Sequence, residues 1–168
     1  MNETTLAIVL LIAFVLHDSE ETLVMQRWLH QHPNQIIRRF PKMEKSLNRL
    51  AAMGTRGFAI AAAEEFAILL AAAILLFAGV PYSFEAVSAL FIAFVAHQII
   101  HIAQALALRA YVPGLMTNML LLPATITGLA SIIQSLTTPQ FALCTLCGIA
   151  TMLLNLRIAH HIGAKLSQ

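Results

Sequence analysis

Long apolar stretches dominate the pattern of hydrophobic and polar positions along this chain. A helix needs about 20 mostly apolar residues to cross the roughly 30 Å hydrocarbon core of a bilayer. Five stretches meet that requirement and predict membrane-spanning helices at about residues 4–28, 57–79, 84–110, 113–134 and 140–160. Gly79-Val80-Pro81 is a helix-stop signature after the second stretch, and Pro113 stands at a first-turn position that tolerates proline.

The composition excludes the common soluble classes. The chain has 168 residues, of which 59% are hydrophobic and 11% charged, whereas soluble domains average about 45–50% and 25%. With 7 Gly, 6 Pro and 2 Cys it is not a collagen-like, disordered or disulfide-stapled chain. We therefore predict an all-α membrane helix bundle that forms a single domain over residues 1–168.

The basic residues predict the orientation. Lys and Arg cluster between the first two stretches and after the third and fifth, while the other loops and the N-terminus have none. Since short basic loops stay in the cytoplasm, we expect the N-terminus outside and the C-terminus inside. The first stretch lacks the basic start and small-residue cleavage site of a secretory signal, so we expect a retained helix.

A basic segment, residues 30–56, separates the first two stretches. Within it Pro41–Met53 has apolar residues at helical spacing opposite Lys42, Lys45 and Arg49. This pattern predicts a helix on the anionic inner leaflet, and a solvated basic linker is an equal alternative. Because the lipid surface explains the charge, we expect no nucleic-acid partner.

Ionisable residues within the stretches share one depth. Each costs about 2.5–3.5 kcal/mol to insert, so such residues are rare unless they are used. At a rise of about 1.5 Å per residue, those of the first three stretches lie roughly 10–18 Å from the cytoplasmic ends. The set comprises His17, Glu20, Glu21, Glu64, Glu65, His97 and His101. Gln104 follows the two later histidines on one helical face, and Asn118 lies nearby at a shallower depth.

Three histidines and several carboxylates in an apolar layer favour a metal site. Two His at positions i and i+4, with carboxylates from neighbouring helices, form a ligand set for a divalent metal, zinc or iron. A His–Glu network that only joins helices is one alternative, and a proton or ion relay is another.

Three short motifs carry a resemblance to a known family. They are His17-Asp18-Ser19-Glu20-Glu21, the Ala-x-x-x-Glu from Ala61 to Glu65, and the His-x-x-x-His from His97 to His101. In order and spacing the chain resembles the HXXEE family of small bacterial membrane proteins over its first four stretches. The resemblance implies a multi-helix membrane fold and suggests a metal-dependent enzyme. The residues it marks by position are His17, Glu20, Glu21, Glu65, His97 and His101, and Glu64 lies outside the motif.

The expected function is a metal-dependent hydrolase that acts on a lipid-soluble or lipid-linked substrate near the cytoplasmic face. His17, His97, His101 and a carboxylate hold the metal, with Glu65 as a ligand and Glu20 or Glu21 as the base. Glu64, Gln104 and Asn118 support these ligands. One alternative is an oxidoreductase whose two irons are bridged by Glu20 or Glu21 and Glu65. Another is a small proton or ion transporter.

Overall fold

A computed structural model describes residues 1–167, and within that range every regular element is helical. The six α-helices are α1 (Glu3–Gln31), α2 (Pro33–Arg39), α3 (Glu44–Phe77), α4 (Ser83–Leu108), α5 (Leu115–Ser135) and α6 (Thr138–Leu166). A short 3-10 turn, Pro41–Met43, connects α2 to α3. The all-α prediction is confirmed.

Four segments in the described range are long and apolar enough to cross a membrane. They are Pro41–Phe77, Ser83–Leu108, Leu115–Ser135 and Thr138–Leu166. Helix α1 has 29 residues, a length of about 43 Å, but Asp18, Glu20 and Glu21 interrupt its apolar sequence and it is not among the four. These four helices identify a membrane protein.

The basic segment is helical and packs against the protein. Instead of starting at Gly57, α3 begins at Glu44 and kinks at Gly54, whose φ of 68° is left-handed. Leu47, on the side predicted to face the leaflet, is buried in an apolar cluster with Leu29 and Leu108, and Met43 remains exposed. The structure therefore shows a helical segment that is largely exposed and is anchored to the protein by residues such as Leu47.

The helix ends define two opposite faces of the bundle. The N-terminal ammonium group donates a hydrogen bond of 2.8 Å to Ser131 Oγ, so α1 begins beside the C-terminal end of α5. The α3–α4 and α5–α6 connections lie at this same end, because the long helices alternate in direction. The connections rich in Lys and Arg lie at the other end.

Glycines bring α6 close to two neighbours. A side chain at Gly148 would collide with the Ala89 carbonyl group of α4, and one at Gly163 would collide with the Gly57 carbonyl group of α3. Small residues allow this close approach of backbones in membrane helices. As a result α6 closes one side of the space between α1, α3 and α4.

Candidate metal centre

Two helices supply four side chains that meet in one place. His17 and Glu21 come from α1, and His97 and His101 come from α4. Each residue offers one ligand atom, and all four atoms lie within 4.8 Å of one another. We call these four residues the His/Glu group.

The spacing of each pair explains the convergence. Residues four apart lie on the same face of a helix, so His17 and Glu21 project together from α1, as His97 and His101 do from α4. Because α1 and α4 pack together, the two pairs face each other. The His17 side chain is fully buried, and His101 is 5% exposed.

The distances in the His/Glu group match those expected around a metal ion. His101 Nε2 lies 2.9 Å from His97 Nε2 and 3.1 Å from Glu21 Oε1. The second Glu21 oxygen lies 3.9 Å from His97 Nε2. Four ligands at about 2.0–2.1 Å from a tetrahedral ion would be separated by about 3.3 Å. The group therefore fits an ion without a large rearrangement.

Hydrogen bonding alone leaves this group incomplete. His101 Nε2 carries at most one proton and can donate it to His97 or to Glu21, but not to both. His17 Nε2 is buried and has no hydrogen-bond partner among residues 1–167. Such orphaned nitrogens are costly in an apolar interior, and a cation bound between them would satisfy them together.

His17 is held by the connection between α4 and α5. Its Nδ1 lies 3.3 Å from Thr117 Oγ1, and that hydroxyl group donates a hydrogen bond of 2.6 Å to Glu20 Oε2. A hydroxyl that donates to the carboxylate accepts from His17 Nδ1, which leaves the lone pair on Nε2 free for a metal. Bonds of this kind orient metal-binding histidines in known sites.

Glu20 lies outside the His/Glu group, at the start of α5. Its two oxygens accept hydrogen bonds from the backbone N–H groups of Met116 (3.3 Å) and Thr117 (2.7 Å), and from the Tyr111 hydroxyl group (2.5 Å). A carboxylate in this position satisfies free N–H groups and the positive end of the helix dipole. Partial burial, followed by the bond to Glu20, raises the pKa of Tyr111, so this hydroxyl remains a donor.

Gly114 fits tightly against the His17 ring. It lies immediately before α5 with a φ of 83°, in the left-handed region that favours glycine. A Cβ at this position would lie 2.5 Å from His17 Cε1. The connection therefore positions the ring by direct packing as well as by hydrogen bonding.

A cavity of about 90 Å³ adjoins the group between α1, α3, α4 and α6. Glu21 and His97 form part of its wall, and Asp18, Glu65 and His160 line it as well. Most other lining residues are apolar, and none of those identified in the described chain is Lys or Arg. The structure thus places Glu65 beside the His/Glu group but not in it.

The three residues expected to support the ligands lie in different surroundings. Asn118 is buried, and its Nδ2 donates a hydrogen bond of 3.2 Å to the Gln98 carbonyl group of α4. Glu64 has one buried oxygen, Oε2, without a partner among residues 1–167. Gln104 is partly buried and is not part of the His/Glu group.

Sequence reasoning did not assign several residues that surround the ligands to the candidate site. Asp18 and His160 line the cavity. Tyr111, Gly114 and Thr117 lie in the α4–α5 connection or at the start of α5, where Tyr111 and Thr117 bind Glu20 and Gly114 packs against His17. The Pro113-Gly114 pair before a helix is a visible signal of a special turn. The contact between this turn and His17, 97 residues earlier, depends on tertiary packing.

The fold and the site together define a class of protein. It is a helical membrane protein that contains a group of three histidines and one glutamate, all buried or partly buried, able to hold a metal ion. The chain belongs to the HXXEE family, described as proteins of unknown function with an HXXEE motif, and the family model matches residues 8–128. This match confirms the resemblance and ends within α5, so α6 lies outside it. No curated protein and no solved structure matches the chain.

Proposed function

We propose that this protein is a membrane-embedded, metal-dependent enzyme, and that its chemistry is hydrolysis of a lipid-soluble or lipid-linked substrate near the cytoplasmic face. In this proposal α1 is a fifth membrane-spanning helix in a single domain covering residues 1–168. The N-terminus lies outside and the C-terminus inside a bacterial inner membrane. The length of α1 and the separation of the basic connections from the N-terminus support this topology.

The observation that carries the proposal is the His/Glu group itself. In a His–Glu network that only joins helices, each hydrogen-bond donor would face one acceptor. Here one histidine nitrogen faces two partners and another faces none. Interhelical hydrogen bonds in membranes contribute only about 0.6 kcal/mol on average. That gain is small beside the cost of burying so many ionisable groups.

The proposed roles follow the geometry and differ in part from those expected from the sequence. His17, Glu21, His97 and His101 would hold a divalent ion, zinc or iron, and the bound ion would supply Lewis-acid activation of a water molecule or a substrate oxygen. Glu65, across the cavity, takes the proton from the attacking water. Glu20 acts through Thr117 as a positioning residue for His17.

A second candidate function is a two-iron oxidoreductase. One observation favours it: Asp18, Glu65 and His160 line the cavity beside Glu21 without a basic side chain to neutralise the carboxylates. Together with Glu21, these residues would provide ligands for a second ion. The number of bound ions separates the two candidates.

Elemental analysis of the purified protein tests the proposal. We expect at least one divalent metal per chain and near-complete loss of it in His97→Ala. His161→Ala, at an exposed position near the end of α6, is the matched control and keeps its metal. If the wild-type protein contains about two irons per chain and Glu65→Ala contains one, the result would favour the oxidoreductase. Metal-free wild-type protein, or full occupancy in His97→Ala, would contradict the metal centre.

A further inference from the structure

A groove runs along the outside of the protein between α1 and α3. Its volume is about 380 Å³, within the range of roughly 300–1,000 Å³ typical of small-molecule sites. Val15 and Leu23 of α1 form one side, and the small residues Ala59, Ala62 and Ala63 of α3 form the other. All except Ala62 are exposed, so the groove opens outward from the bundle.

The groove shares a wall with the cavity beside the His/Glu group. Phe14, Asp18, Thr22 and Ala62 line both spaces. On the inner side the same cavity reaches Glu21 and His97. The same side chains of α1 and α3 therefore face both the outer groove and the cavity beside the candidate metal centre.

The two spaces differ in character along this path. The groove is lined mostly by apolar atoms, and its polar residues, Asp18, Ser19 and Thr22, all lie on α1. The cavity adds Glu21, Glu65, His97 and His160, none of which lines the groove. This arrangement suits a molecule with an aliphatic chain and one polar group, because each part meets matching surroundings.

We propose that the groove between α1 and α3 is a lateral entrance from the bilayer, and that it holds the aliphatic chain of the substrate while the polar group reaches Glu21 and His97. This inference rests on the proposed function for the chemistry at the inner end. It adds the class of substrate, a molecule dissolved in the bilayer through an aliphatic chain, and the route by which that molecule arrives. Phe14 and Ala62 form the apolar part of the wall that must move aside.

Photolabelling tests the groove directly. The probe is palmitic acid carrying a diazirine, added to the full chain in phosphatidylcholine nanodiscs, and adducts are located by peptide mass spectrometry. We expect adducts concentrated on residues 14–23 and 59–66. Ala63→Phe fills the groove from an exposed position and should lower this labelling about tenfold, as overpacking of a fitted site does. Ala71→Phe, exposed on the same helix outside the groove, should leave it unchanged.

Two results would overturn the proposal. One is labelling spread evenly over the lipid-facing residues of α5 and α6, which would show only ordinary lipid contact. The other is unchanged labelling in Ala63→Phe. Ala59→Phe, also exposed in the groove, replaces Ala63→Phe if the latter does not fold. Metal content is measured in parallel. Specific labelling of a protein that contains no metal would refute the proposed function but would still support the lateral entrance.

Discussion

Replacing Gly114 with alanine tests how the α4–α5 connection holds His17. The substitution adds a single methyl group at a position whose φ is 83°. That methyl carbon would lie 2.5 Å from His17 Cε1, about 0.9 Å closer than ordinary van der Waals contact at 3.4 Å. The imidazole or the connection must therefore move.

The structure provides a matched control at Gly79. Its φ of 70° is also left-handed, but a Cβ there would meet nothing within 4 Å. Alanine in the left-handed region costs about 1–2 kcal/mol, and this is the full cost expected at Gly79. Overpacking adds about 1–3 kcal/mol. Gly114→Ala should therefore lower the free energy of unfolding by about 2–5 kcal/mol.

The assay is equilibrium unfolding in detergent micelles, with metal content measured on the same samples. We expect Gly114→Ala to lose both stability and metal, because displacement of His17 disturbs a ligand. Gly79→Ala lies at the opposite end of the bundle and should keep its metal. Equal destabilisation of the two variants, with metal retained in both, would refute the argument that Gly114 packs against His17.

Two further predictions concern Glu20 and the imidazoles. Glu20→Gln replaces one of the two acceptor oxygens with an NH₂ group that faces donors of Tyr111, Met116 or Thr117. It should cost about 1–2 kcal/mol of unfolding free energy and about 10–100-fold in metal affinity. Glu44→Gln, in the first turn of α3, removes the same charge from a residue without such bonds and should leave metal affinity unchanged. An equal loss of metal affinity in both variants would contradict the positioning role of Glu20. Metal occupancy should fall reversibly on acidification, because histidine binds metal only as a neutral imidazole. Metal occupancy is measured on protein equilibrated at a series of pH values. If the occupancy stays constant down to acidic pH, the histidines are excluded as ligands.

The sequence alone was sufficient to predict the five long helices and to mark the polar residues that interrupt their apolar sequence. Membrane-spanning helices must be long and apolar, since every backbone polar group is satisfied within the helix. Their positions are therefore visible without knowledge of packing, apart from ends such as the start of α3. The pairing of His97 with His101 was also predictable, because it is local to one helix.

Tertiary structure decided which carboxylates join the histidines. Glu20 and Glu21 are neighbours on α1, about 100° apart around the helix axis, so either could face α4 from sequence alone. Packing directs Glu21 to His101 and Glu20 to the start of α5. Packing also places Glu65 across a cavity from the His/Glu group, and neither composition nor residue spacing predicts that separation.

The same contrast between sequence and tertiary structure applies to the residues that position the candidate ligands. A glycine at position 114 is visible in the sequence, but the His17 ring against which it packs belongs to another helix. Helical period and hydropathy are properties of a single segment, which is why the sequence by itself determined the elements and their polar layer. The direction each polar side chain faces depends on the rotation of one helix against another, and only the assembled bundle specifies that rotation.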